Sequence, residues 1–576
     1  MYADVIVLSY QPPEIDFYTY EIPQSLEENL KVGQLVQIPF GARNPLGLVV
    51  KIKNQKPEGI RTRPILSIYF PTPLLLPYQI ELIKWMAFYY HAPVVNCLET
   101  ILPQLPSKLS MVNSQWKEKY PFNETIHYSP STVNQTIVLV PSINRIPETM
   151  AQFPQAKNHV IYHNQMKASE IFAAWLKILN CDADYIFGSR IAIFTPCPNI
   201  EKIIIFDEHD RAYKDERSPY FDTLTVAEKI QSLTDAKLKI YDSSPKTTTY
   251  FNHQKEIVLE AKNRISPKVK IVSMIEEKNK GNKSPISDYL SDAIASTYKK
   301  GGKSLLFLNK KIESGQIYCN ACAHQTFTKS APQLCPNCKS SDIFYYSLNI
   351  SSLSNLVRLL IPNIAIKLIA EGIDSTIANA PVQIATSSIF YAQNVEKFDL
   401  VCHIAVDYVA NIPDFNSYEK VYAQITDLKK LTKKNGMLIL QTHNPQSNLV
   451  LTTAESDFGN FYQKHLKDRK ILSYPPYSLL VKLTIKGKNL QKISQQAQSL
   501  VDQLKKTGLA KNEKVFFLGP YQPIFGGKTP KYNIIIKKPI TNYSLAQRQK
   551  EISDLYAYFD KITRDFTIIV EPLSLN

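Results

Sequence analysis

The stretch KIIIFDEHD, residues 202–210, decides the fold. Four apolar residues in a row, closed by three acids and a histidine, describe a strand buried on both faces with polar groups at its carboxyl end. Working outward, the runs IVLV (137–140), HVIYH (159–163) and DYIFGS (184–189) have the same character. Helical stretches such as ASEIFAAWLKIL lie between them. Short apolar strands alternating with helices imply a parallel sheet covered on both sides. The alternation returns at SLLFLN (304–309), AIKLIA (365–370), VQIAT (382–386), LVCHIAVD (400–407) and MLILQT (437–442). The expectation is two consecutive α/β domains, 137–262 and 268–450.

The ends of the chain read differently. Residues 1–105 alternate like short strands, with a hairpin at VQIPF-GARNPLG-LVVKI (36–52) whose glycines suit unusual backbone angles, and then a helix over 78–91. Residues 106–136 are polar and read as a connector. Over 460–576 the order is strand, helix, two strands, helix, strand, the pattern of a ferredoxin-like sandwich.

Composition narrows the function. The chain has 576 residues and only 17 glycines, where average usage is about 7%. That deficit weakens any chemistry built on several glycine phosphate loops. Lys+Arg 67 against Asp+Glu 51 leaves a net charge of +16, with Lys far outnumbering Arg. Such a surplus favours an acidic polymer such as nucleic acid, unless the whole proteome is Lys-rich. MYADVIVLSY has no basic segment ahead of an apolar run, and no stretch of 18 apolar residues occurs. A cytoplasmic protein with no membrane partner is expected.

The firmest chemistry is Cys319-x2-Cys322-x12-Cys335-x2-Cys338. Two CxxC turns point to a tetrahedral sulfur site for one structural Zn2+ with no open position for catalysis, the alternatives being unpaired thiols or another metal. Cys97, Cys181, Cys197 and Cys402 are scattered and read as core thiols.

In P-loop ATPases a strand ending like 202–210 delivers an Asp to Mg2+ and a Glu to the attacking water. Equally, it is a strand that simply ends in a polar loop. At this point the chain resembles the PriA family of replication-restart helicases. The resembling segments run in order: VGQLVQIPFGARNPLGLVV (32–50), VLVPSINRI (138–146), IFGSRIAIFTP (186–196), DEHDRAYKDERSPY (207–220), the cysteines, NIPDFNSYEKVYAQIT (411–426), LSYPPYSLLVKL (472–483) and LGPYQP (518–523). The resemblance implies an α/β multidomain fold with two RecA-like helicase lobes and a zinc-knuckle insertion at 315–345. It also implies an N-terminal β-rich domain that receives 3′ DNA ends and a C-terminal ferredoxin-like α+β domain. It carries DNA-binding roles to Tyr18, Thr19, Gly33, Arg43, Arg63, Ser189 and Arg190.

The departures concern ATP. No G-x-x-x-x-G-K-[ST] occurs, and FNETIHYSPSTVNQT (122–136) contains neither Gly nor Lys. The family's Mg2+-binding Asp becomes Phe206, leaving Asp207, Glu208 and His209 as a degenerate acidic motif. Both arginine-finger positions are lost, to Leu431 and Lys434. A winged-helix segment is also missing. The resemblance therefore implies a DNA-binding scaffold for replication restart, with ATP and Mg2+ unlikely as cofactors and no catalytic residues. Its partners would be forked, branched or 3′-ended DNA, and primosome, helicase-loading or single-strand-binding proteins. The alternatives are an active helicase with a non-standard ATP site and a protein-interaction remnant without DNA binding.

Overall fold

A computed structural model describes residues 1–9, 15–56, 58–59, 61–106, 133–259, 267–309, 315–322, 324–328, 332–346, 348–374, 379–507, 509, 515–524, 529–559, 561–562 and 565–576. Most of the connector, 107–132, lies outside these, and with it most of the segment where a phosphate loop would fall. The chain divides into two compact units: residues 1–260 together with 468–576, and residues 261–467.

The first unit holds three sheets. The N-terminal one is antiparallel, in the order Tyr18–Glu21, Tyr2–Val7, Leu46–Lys53, Leu35–Gln37, Ser67–Ile68. The expected hairpin is present, with Val36 opposite Gly47 and Gln37 opposite Leu46. Gly41 at its tip has φ +61°. Gly47 serves a different purpose from the one its sequence suggests: a Cβ there would lie 2.4 Å from the Val5 side chain, so close strand packing selects it. The helix expected at 78–91 spans Pro77–Tyr89.

The second sheet is the first RecA-like lobe. Its strands run in the order Ile257–Val258, Lys237–Tyr241, Ile200–Phe206, Gln135–Leu139, Tyr185–Gly188, His159–Tyr162, all parallel. The third is the C-terminal sheet, Phe516–Tyr521, Lys531–Pro539, Ser478–Lys486, Thr567–Val570, antiparallel throughout. With helices Leu490–Lys506 and Leu545–Phe559 this is the ferredoxin-like order.

One apolar core joins these parts. It runs from Tyr89 and Leu98 through Trp175 and Ile203 to Leu483 and Phe559. Gly33 anchors the turn on which the N-terminal sheet meets the segment before its helix. It has φ +89°, and a Cβ would sit 2.2 Å from the Leu75 carbonyl oxygen. Gly33→Ala is therefore expected to cost about 2–3 kcal/mol. Urea titration reads this as a lower midpoint with an unchanged slope.

The second unit contains the other RecA-like lobe. Its order is Lys268–Ser273, Thr432–Thr442, Phe398–His403, Ser304–Phe307, Val382–Ala385, Ile366–Ala370, Ile373–Asp374, parallel except for the last pair. Between Ser304–Phe307 and the helix Ile350–Leu360 sits an insertion, the small antiparallel sheet Gln325–Thr328, Gly315–Cys319, Ile343–Tyr346.

Candidate zinc knuckle, acidic motif and DNA-facing residues

The insertion brings four cysteines together from two turns. Each offers a sulfur, and the four sulfurs lie within 4.8 Å of one another. Cys319 Sγ is 3.5 Å from Cys338 Sγ, and Cys322 Sγ is 3.7 Å from Cys335 Sγ. A tetrahedron with Zn–S bonds of about 2.3 Å has sulfurs about 3.8 Å apart, so the donor set fits one zinc. The backbone closes both turns: Cys319 N donates to the His324 carbonyl at 3.0 Å and Cys335 N to that of Ser340 at 2.8 Å. Lys339 adopts φ +62° to complete the second turn.

At the carboxyl end of Ile200–Phe206 the acidic motif is spent inside the protein. Asp207 has φ +48° and is 5% exposed. Its Oδ2 lies 3.0 Å from Arg145 Nη1. Glu208 is fully buried. Its Oε1 lies 2.8 Å from Lys246 Nζ, while Oε2 accepts from the Thr249 hydroxyl at 2.9 Å. Burial pushes the Glu208 carboxyl up, against the pull of Lys246. Burial pulls the Lys246 ammonium down, but Asp222 and Glu208 more than offset this and hold it above the usual lysine range. His209 Nδ1 is 2.9 Å from Asp242 Oδ1, and its backbone N–H donates to Asp242 Oδ2 at 2.9 Å.

Asp207, His209 and Asp242 each bring one ligand atom within 4.8 Å of the others. Each is already engaged by an internal partner, and a histidine in the set suits Mg2+ poorly. Phe206, where the resembled family has a carboxylate, is 3% exposed. Its ring stacks on Tyr241 at 4.9 Å and meets the edge of Phe153 at 6.2 Å. Sequence reasoning missed Arg145, Asp242 and Lys246. Asp242 had a signal, the short run KLKIY before it, which went unread as a strand.

In the second unit, Leu431 closes the helix Ser417–Leu431 and Lys434 is exposed on Thr432–Thr442. Lys430 pairs with Asp427 at 3.0 Å and Lys433 with Asp399 at 2.8 Å.

The residues assigned to DNA separate into groups. Tyr18 and Thr19 lie on one strand, and the Arg63 carbonyl accepts from Glu21 N at its end, 2.9 Å away. Tyr18 meets Phe40 edge-on at 5.1 Å, and Phe40 exchanges backbone hydrogen bonds with Arg43. Tyr18, Arg43 and Arg63 are thereby linked through one hairpin end and one strand, with both arginines exposed. The Thr19 hydroxyl donates to Asp4 Oδ1 at 2.8 Å, and that buried carboxylate also pairs with Lys53 at 2.6 Å. Gly33 is placed by the turn described above.

Ser189 precedes the short turn Arg190–Phe194 in the first lobe. Arg190 donates to the Ala212 carbonyl at 3.1 Å and pairs with Asp215 at 2.9 Å, tying this turn to the loop after the acidic motif.

Comparison with known proteins fits this arrangement. Residues 6–103 match the family model of the PriA 3′DNA-binding domain (3′BD). The Replication restart protein PriA of Bacillus subtilis is 26% identical over 420 residues, covering 64% of this chain and 52% of that protein. That of Borreliella burgdorferi is 25% identical over 477 residues, covering 74% and 71%. That of Chlamydia trachomatis is 21% identical over 667 aligned positions, covering 85% and 88%. The match thus spans about half the length of the B. subtilis relative. Among solved structures, Saccharomyces cerevisiae Dbp5 bound to RNA and ADP BeF3 overlaps with a TM-score of 0.34 at 12% identity, covering 69% of this chain and 98% of that one. The strand orders, rather than that overlap, carry the fold. The chain is similar to the PriA replication restart proteins, with residues 6–103 matching their 3′DNA-binding domain and two RecA-like lobes after that segment.

Proposed function

We propose that this chain binds forked or branched DNA, including its 3′ end, and serves replication restart as a scaffold that does not hydrolyse ATP. The observation that carries the second half is the internal pairing of the acidic motif. Arg145 holds Asp207, and Lys246 holds a fully buried Glu208. A carboxylate neutralised by an arginine has little left to offer a divalent cation, and one buried against a lysine is out of reach of water. The missing phosphate loop and the replaced arginine positions point the same way, since an arginine finger alone is worth about 10³–10⁵ in rate.

The DNA half is supported by the match at 6–103 and the net charge of +16. Tyr18, Thr19, Arg43 and Arg63 would face the DNA end, and Ser189 and Arg190, in the first lobe, the DNA backbone. Phosphate contact of this kind needs hydroxyls, guanidinium groups and amides but no nucleotide. One zinc would brace the insertion. Primosome, helicase-loading or single-strand-binding proteins would be the protein partners.

Fork binding and ATP hydrolysis measured on one preparation test the reading. The expected result is binding whose affinity falls steeply as salt rises, with no DNA-stimulated hydrolysis. Hydrolysis that is stimulated by DNA and lost in Asp207→Ala would establish the active helicase instead. Absence of fork binding at low salt would leave only the interaction remnant.

A further inference from the structure

Four rings in the unit of residues 261–467 cluster with near-parallel planes across two helices. Tyr422 and Phe461 stack with centroids 3.9 Å apart and planes 17° apart. Phe461 and His465 follow at 5.5 Å and 18°. His465 and Tyr418 complete it at 6.5 Å and 17°. The sequence dictates the arrangement. Tyr418 and Tyr422 stand four residues apart on the helix Ser417–Leu431, and Phe461 and His465 four apart on Phe458–Ile471, so each pair shares one helix face.

The cluster reaches from core to surface. Phe461 is 2% exposed, Tyr422 4% and His465 8%, whereas Tyr418 is 45% exposed. Tyr418 is the exposed member of the cluster, and a half-exposed ring held beside a buried one can take a further planar ring. The surroundings favour an anionic polymer as its carrier. Lys464 and Lys467, flanking His465 on its helix, are exposed, as is Lys420 two residues after Tyr418. Lys420 pairs with Asp414 at 3.6 Å.

The geometry points to Tyr418 as a stacking platform for a base of single-stranded DNA, with Lys464 and Lys467 taking the adjacent phosphates. Rings supply sequence-tolerant binding because every base has a π-face, and lysines follow the backbone. This site rests on the reading that the chain binds DNA, and places one contact outside the 3′DNA-binding domain.

The test uses the full chain and a dT oligomer with a phosphate-blocked 3′ end, so that end recognition contributes nothing. An abasic oligomer of equal length and charge is the control. Tyr418→Ala is expected to weaken dT binding about five- to twentyfold, the lower part of the range for one stacked base. Tyr418→Phe and Tyr418→Trp should keep it. The abasic oligomer should bind wild type and Tyr418→Ala alike. Equal dT affinity in wild type and Tyr418→Ala, with DNA binding otherwise intact, overturns the platform alone. Absence of binding to either oligomer or to forked DNA in the wild type overturns both the platform and the DNA reading beneath it.

Discussion

Arg548→Ala is expected to destabilise the unit of residues 1–260 and 468–576 by about 3–5 kcal/mol, the usual result of removing one partner of a buried ion pair. Arg548 is 3% exposed. Its guanidinium pairs with Glu228 of the first lobe and, at 2.8 Å, with Glu571 at the chain's end. It also lies over the Tyr543 ring at 4.9 Å. Glu571 accepts from the Tyr89 and Tyr543 hydroxyls, both at 2.9 Å, and Lys214 Nζ donates to the neighbouring Val570 carbonyl at 3.0 Å.

Alanine would leave two largely buried carboxylates without their shared cation, with the Tyr89 and Tyr543 hydroxyls left on Glu571 and His253 on Glu228. Urea unfolding followed by tryptophan emission reads the loss, since Trp85 and Trp175 both belong to this unit. Adding Glu571→Gln to the variant should restore part of the stability. A midpoint unchanged in Arg548→Ala would show that the network is dispensable.

The same network gives a pH dependence with a definite sign. Burial pushes the Glu571 carboxyl up, but Arg548 and then Lys214 outweigh it and hold it below its ordinary value of 4.5. Asp222, buried yet held by Lys246 and Lys214, also sits below its ordinary 3.8. Carboxyls depressed in the folded state bind fewer protons than in the unfolded one. Their contribution is complete above the ordinary carboxyl range and is lost as pH falls through the folded values. Arg548→Ala should flatten this acid limb.

The second large effect concerns the four cysteines. The purified chain is expected to carry one equivalent of zinc, and Cys335→Ser to lose it. Sulfurs held within 4.8 Å of each other form a site whose metal would brace the small three-stranded sheet, so emptying it loosens the insertion. Chelation should therefore expose the insertion to proteolysis within residues 310–347, while both lobes stay intact. Elemental analysis and limited proteolysis check the two halves. Full-length chain without metal and with four freely titrating thiols would sink the assignment.

How much of this was legible in the sequence varied with burial. The central strands announce themselves: Ile203, Ile204 and Ile205 are covered on both faces, so only apolar residues fit. Lys237–Tyr241 and Lys268–Ser273 were missed because they alternate, KLKIY and KVKIVS, as a strand with one wetter face must. The cysteine spacing was readable outright, because four ligands in two turns have one plausible geometry. The pairing of Asp207 with Arg145 was not, since an ion pair across 62 positions leaves no periodic trace. Nor was the Arg548 network, which joins three segments that look like separate domains.

That network has a bearing on synthesis. Arg548 and Glu571 emerge from the ribosome only after the entire unit of residues 261–467 has been made. At about 5–20 residues per second, translating that stretch takes roughly 10–40 s. Throughout that interval Glu228, Lys214 and the helix bearing Tyr89 lack their partners from residues 468–576, and an apolar seam stands open. The nascent first lobe is therefore expected to need chaperones until residues 468–576 arrive. A chain halted after residue 467 would show up in cells as degraded protein rather than as a stable amino-terminal fragment.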